Sequence, residues 1–545
     1  MNNRPVLGTL VAGLAVSFAF VSLPSRASGR LSGGVPGTRT LGTCPLIWPL
    51  IRPGDMSLRY VFPDSPVLLP GRSGPPPAKD KMLLVINFDV EDYTTPASEG
   101  IDDIPKWLAD IMSEEGVTGT FYVIGEKARS LEARGRRDVI AAMARHDIGS
   151  HTNSGSIHPT VAEVLEKAGW EDGVGSMLER EAAGFRDLER IFGVPVVTMG
   201  RHGGSYGPQL VAALARLGKG FSGSPAGLPG KTAAWFCNTL NFSFQYGGYD
   251  DVFYGDDLFE PAFDRLKKEL PELARTYEAV SFFCGHPTKI RSEQFWDLNY
   301  YAGKNPPPAE WKTPALRPLA SMETARKNFR RLVRWLKNRD DIELTTFRSL
   351  MDRFSGQKDI LTGAELAALA EAALETGTLL PSEDFSPAEA FAGLAESIAA
   401  FETHEALPGE IKVVRPFGPA EMPATRPGVS RLGLADVCRL AKEARDHIRE
   451  TESLPAFLTT GEARIGTGSL FALFAAAYLD IRRGRPRADY KVVPFEPYPR
   501  TREKSCVDLI QGYKSWPVHR PDLDMTRTIE QTRLQLWTLK PARRR

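Results

Sequence analysis

The stretch His146-Asp-Ile-Gly-Ser-His151-Thr-Asn-Ser-Gly-Ser-Ile-His158-Pro159 decides how this chain is read. An apolar-periodic segment with Val139, Ile140 and Met143 precedes it and predicts a helix. Ile148 and Gly149 read as a short buried strand that delivers His151 onto a loop. Pro159 stiffens the exit after His158 and opens the next helix. Neutral imidazoles gathered at a strand end can hold a metal ion. Two hydrogen-bonded loop histidines would look the same in isolation, so the neighbouring sequence has to separate the two readings. Upstream, Val85-Ile-Asn-Phe-Asp89-Val-Glu91-Asp92 is an apolar strand that ends in carboxylates.

Outward from these stretches, strands and helices alternate. Strand 83–88 leads to a helix near 104–112, strand 119–124 to a helix at 137–144, and a long helix at 177–191 to strand 194–199. Helix 208–217, helix 263–277 with strand 279–284, and helix 323–337 with strand 342–345 complete the unit near Phe354. Such alternation implies a parallel sheet covered by helices, with functional groups at the carboxyl ends of the strands. Asp89, His151, Arg201 and His286 fall at those ends.

In kind and in order, four motifs resemble the polysaccharide deacetylase superfamily (NodB-homology domain, carbohydrate esterase family 4-like). They are Asp89-Val-Glu91-Asp92, Gly149-Ser-His151-Thr152 through His158-Pro159, Gly200-Arg201, and Phe282-Phe-Cys-Gly-His286. The resemblance covers about residues 82–355. It implies an α/β fold, a distorted (β/α) barrel, and removal of N- or O-acetyl groups from a polysaccharide or glycan. It also implies a divalent metal ion, with zinc as the default. By matching position, Asp89 is implied as general base, Arg201 as its orienting partner and His286 as general acid, with His151 and His158 as metal ligands. A metal ion held by a carboxylate and two imidazoles polarises a carbonyl, and a free carboxylate and a protonated histidine can then move the protons.

The third ligand stays open. The family's adjacent aspartates are replaced by Asp89-Val-Glu91-Asp92, and strand alternation puts Asp89 and Glu91 on one side. Glu91 is the first choice and Asp92 the reserve. Six residues separate His151 from His158, more than the family's usual spacing, so the intervening loop must bulge. Arg201-His-Gly-Gly-Ser-Tyr206 stands where the family has Arg-Pro-Pro-Tyr. His202 could add a contact but reads as a hydrogen-bonded loop histidine. Tyr206 and Trp235 are candidates for a sugar-stacking wall, with ordinary core aromatics as the alternative.

The chain has 545 residues, more than one ordinary core holds, with 42% apolar and 25% charged residues. Its 68 basic and 67 acidic side chains leave a net charge of +1 and no electrostatic case for a nucleic-acid partner. Asn2-Asn-Arg4, an uncharged apolar run over 6–23, and Ser25-Arg-Ala27 predict a signal peptide or uncleaved membrane anchor over 1–27. The protein is therefore expected to be secreted or associated with the cell envelope. A Gly/Pro-rich linker over 28–80, with a packed patch near 47–50 and 60–62, precedes the 81–355 domain. Residues 356–500 read as a mainly helical module duplicated at about 360–419 and 432–497, with Ser386-Pro-Ala-Glu389 as a capping box. It is read as a module for an envelope or protein partner, followed by a C-terminal tail over 501–545 that ends in a solvated Arg543-Arg544-Arg545.

None of the five cysteines, Cys44, Cys237, Cys284, Cys438 and Cys506, forms a CxxC pair. Export would permit a disulfide, Cys237 with Cys284 for example. His404, His447 and His519 read as surface or capping residues. The leading expectation is an exported metal-dependent deacetylase. A catalytically silent carbohydrate-binding member of the same fold and a small-molecule amidase are the alternatives.

Overall fold

Strand β1, Met82–Val90, runs through the middle of the main sheet, and eight of its nine residues are buried. The structure is a computed structural model that describes residues 81–243, 245–424 and 428–545. The expected signal segment, the linker with its patch and Cys44 lie outside the described residues. No helix among the described residues is long and apolar enough to cross a membrane.

Parallel to β1 follow β2 (Thr120–Val123), β3 (Asp147–Ser150), β4 (Thr198–Gly200) and β5 (Gly220–Ser222). Ala233–Phe236 (β6) and Thr239–Phe242 (β7) form an antiparallel hairpin whose second strand joins β5 in parallel. On the other side of β1 lie Gln245–Gly247 (β8) and Ala279–Phe283 (β9), in the order β1-β9-β8. Ile342–Thr345 (β10) pairs with the first half of β1, and β2 pairs with its second half. That stagger curls the sheet into a half-closed barrel.

The period-2 alternation of β1 sorts its side chains between two cores. Leu84, Ile86, Phe88 and Val90 pack against the helices of the outer layer, including Asp103–Glu114 and Ala320–Lys337. Leu83 and Val85 face a smaller inner core with Tyr122, Phe242, Phe347 and Phe354. Asn87 continues that inner row and accepts a hydrogen bond from Ser281 Oγ at 2.8 Å. Tyr122 fills the barrel below the strand ends, and two neighbouring strands make room for it. A Cβ on Gly149 would stand 2.4 Å from its ring, and one on Gly200 2.9 Å.

A second core belongs to four helices, Gly363–Thr376, Pro387–His404, Leu434–Thr451 and Thr467–Arg482. Ser386 caps the second of these in the expected box with Glu389, an arrangement worth ~1 kcal/mol. Strand Ile360–Thr362 pairs antiparallel with Glu410–Lys412, and Arg431–Gly433 pairs in the same way with Asp489–Lys491. In chain order the elements run strand, helix, helix, strand, and then strand, helix, the hairpin Phe457–Thr460 with Ala463–Gly466, helix, strand.

Residues 501–545 are not a tail. Helices Glu503–Lys514 and Thr526–Gln535 lead to a last strand, Lys540–Pro541, which pairs antiparallel with β6. Leu534 and Trp537 insert into the helical core, and Cys506, Ile510 and Leu523 into the barrel's outer core. Arg543 Nη1 lies 2.9 Å from Asp384 Oδ1, an ion pair on a side chain that is still half exposed. Cys237, Cys284, Cys438 and Cys506 are all free and buried, which rules out a Cys237–Cys284 disulfide here.

Candidate metal centre

The inner row of β1 continues through Asp89 and, one residue past the strand's end, into Glu91. Glu91 is almost fully buried, and one of its oxygens, Oε1, gathers three imidazoles. His151 Nε2 lies at 2.9 Å, His202 Nδ1 at 3.1 Å and His286 Nε2 at 3.5 Å. The other oxygen, Oε2, accepts a hydrogen bond from Trp296 Nε1 at 2.9 Å, which fixes the carboxylate plane. His202 is fixed from behind, with Nε2 3.0 Å from Ser156 Oγ, so Nδ1 turns inward. The donor atoms of Glu91, His151 and His202 all lie within 4.8 Å of one another. Two imidazole nitrogens and a carboxylate oxygen, converging and buried, fit a divalent cation. The hydrogen bonds behind His202 and Glu91 are the kind that orient metal ligands.

Asp89 and His286 stand on the more open side, with side chains 15% and 17% exposed. Asp89 Oδ2 is 3.5 Å from His151 Nε2 and 3.8 Å from His286 Nε2. Asp250 Oδ1 accepts from the His286 backbone N–H at 2.6 Å and lies 2.9 Å from its Nδ1. Gly285 makes that approach possible: its φ is +101°, and a Cβ there would meet Asp250 Oδ1 at 2.6 Å.

These contacts set the charges. Burial opposes a charge on His286, but Asp250 and Glu91 outweigh it and push the imidazole up to about 10. Burial also works against the Glu91 carboxylate, yet His286, His202 and the bond from His151 hold it well below the usual range. Asp89 is raised by burial. His202 is lowered by burial.

The structure thus brings Asp89, Glu91, His151 and His286 together and adds His202, Asp250 and Trp296. Five expected residues are placed elsewhere. His158 is not beside His151: its Nδ1 lies 2.7 Å from Glu163 Oε2 and its Nε2 3.0 Å from the Tyr300 carbonyl, so both nitrogens are used. Asp92 has turned away from the barrel and accepts from Thr95 N at 3.0 Å, Thr95 Oγ1 at 2.8 Å and Thr288 Oγ1 at 2.9 Å. Arg201 does not reach Asp89; its Nε donates to the Gly223 carbonyl at 3.0 Å and its guanidinium lies 4.1 Å over the Tyr513 ring. Tyr206 is fully buried in the outer core and cannot stack on a ligand. Trp235 lies on β6 beside Lys540 and packs against the inner core, away from the strand ends.

His202 had a signal in the sequence. Gly149-Ser-His151 and Gly200-Arg-His202 are the same Gly-x-His step on adjacent strands. With both glycines facing Tyr122, alternation carries both histidines to the same side. Asp250 and Trp296 carry no such signal, because loops of unpredictable path bring them in.

No protein-family model matches the chain, and no curated protein matches it. Solved structures resemble about half of it. A protein from Mycobacterium smegmatis described as a polysaccharide deacetylase is 16% identical, covering 52% of this chain and 94% of its own, with a TM-score of 0.34. Puue allantoinase is 13% identical, covering 51% and 93%, at 0.34. A peptidoglycan N-acetylglucosamine deacetylase is 13% identical, covering 50% and 89%, at 0.28. Scores this low lend no weight to an activity, which has to stand on the geometry of the site.

Proposed function

We propose that this chain is a metal-dependent hydrolase that removes acetyl groups from an amide or ester of a glycan. The observation that carries the reading is the convergence of Glu91, His151 and His202 beside the more open pair Asp89 and His286. Glu91 Oε1, His151 Nε2 and His202 Nδ1 would hold the ion. Such an ion supplies Lewis acidity, polarising the scissile carbonyl and making water a stronger nucleophile. Asp89, on the same row as Glu91 but free of a strong partner, takes the proton from the attacking water. The carboxylates of Asp250 and Glu91 keep the His286 ring protonated, and with Nδ1–H engaged by Asp250 the ring donates its Nε2 proton to the departing nitrogen or oxygen. Trp296 keeps Glu91 Oε2 occupied, so Oε1 alone is presented to the ion. The acetylated-glycan substrate is what the resemblance of the four motifs to polysaccharide deacetylases implies. Export through residues 1–27 and a partner for a duplicated helical module belong to the same proposal.

The test is metal analysis of the purified full chain, paired with acetate release from acetylated glycans and from small acetamides. About one equivalent of divalent metal and acetate freed from the glycans are expected, with Asp89→Asn losing turnover but keeping the metal. A metal-free wild type that releases no acetate would overturn the reading.

A further inference from the structure

We infer that Trp516 is a positioning residue for the metal centre, and that the segment around it forms part of the site; this rests on the metal reading above. His202 sits on a loop that continues Gly203-Gly204, and glycine backbones are the most costly to order. Beyond the bonds to Ser156 and Glu91, part of the ordering comes from far along the chain. The Trp516 ring meets the His202 ring near-perpendicularly, with centroids 5.1 Å apart. His151 meets the same ring in the same way at 4.9 Å.

The two glycines are there because the C-terminal segment presses directly on them. Gly203 has φ +49°, and a Cβ on it would stand 2.3 Å from Trp516 Cε2. On Gly204 a Cβ would stand 2.3 Å from the Tyr513 carbonyl oxygen. On the other flank, the backbone N–H groups of Ala302 and Gly303 donate to the carbonyls of Pro517 and Val518 at 2.8 and 3.1 Å. That second loop begins at Trp296, the donor to Glu91 Oε2. Residues 513–518 therefore brace two loops at once, one bearing a ligand and one bearing the residue that orients a ligand. Holding His202 in place before the ion arrives lowers the conformational cost of binding.

The test uses the full chain and Co2+ as probe, following binding by calorimetry and ligand geometry by visible absorption. Wild type is expected to take up Co2+, and Trp516→Phe, which keeps a ring edge against His202, to bind within about threefold of it. Trp516→Leu fills volume without a ring and should weaken binding by about 10- to 100-fold, the range for residues that orient metal ligands, with a shifted Co2+ spectrum. Trp516→Ala is expected to behave at least as badly. If it fails to fold, the comparison of Phe with Leu decides, with thermal unfolding showing that both are folded. Wild-type affinity and spectrum in Trp516→Leu would overturn the inference, and so would equal weakening in the Phe and Leu variants. A wild type that binds no Co2+ overturns the metal reading itself, and this inference with it.

Discussion

At the scale of single residues, the structure exchanges one histidine for another. His158 spends both ring nitrogens on Glu163 and Tyr300, whereas His202 directs Nδ1 at Glu91. His202→Ala is expected to lose metal by more than about 100-fold, beyond the range for residues that merely orient a ligand. His158→Ala should keep its metal content, and metal analysis of both variants checks the contrast. Asp250→Asn leaves an acceptor near His286 but removes the charge that keeps the ring protonated. Acetate release should fall by about 10²- to 10⁴-fold, as for a lost general acid, with metal content unchanged.

Among elements, the loop after β3 depends on helix Trp170–Phe192. Thr152 takes a left-handed conformation, φ 68°, and the next N–H, that of Asn153, donates to Glu181 Oε2 at 2.8 Å. Burial pushes the Glu181 carboxyl up to about 7, against the opposing effects of Arg180 and the Asn153 N–H. Between the ordinary value of 4.5 and that value, the folded protein holds a proton that the unfolded chain releases. Stability must therefore fall as pH rises through this window and level off above it, by on the order of 3 kcal/mol. Glu181→Gln keeps an acceptor for Asn153 and removes this contribution. Urea unfolding at both ends of the window should show a smaller loss in the variant than in wild type. The barrel floor is as exacting. Gly149→Ala drives a methyl into the Tyr122 ring, and a loss of about 1–3 kcal/mol is expected in the same assay.

Over the whole molecule, the barrel and the helical region are joined by residues 501–545. Lys540–Pro541 extends the barrel's sheet, Trp537 fills the helical core, and Trp516 braces the site. A chain cut at residue 355 loses the edge strand, the packing of helix Thr526–Gln535 on helix Pro208–Arg216, and the brace at once. It is expected to unfold without a cooperative transition and to bind no metal, as circular dichroism and metal analysis would report. A chain cut at residue 500 should share both defects although it keeps all four helices of the second core. That outcome separates the role of the C-terminal segment from that of the helical region.

Legible in the residues alone were the alternation of strands and helices, the inner row ending in Asp89 and Glu91, and the histidines at the ends of β3 and β9. Those follow from local periodicity, which a strand imposes on its own side chains. Which groups meet was set by the packing of the folded chain. His158, Asp92 and Arg201 lie close to the site in sequence but found partners in loops and in the C-terminal segment. Asp250, Trp296 and Trp516 reached it from far along the chain. Loop paths are set by packing between distant segments, and that packing leaves no period in the sequence to read.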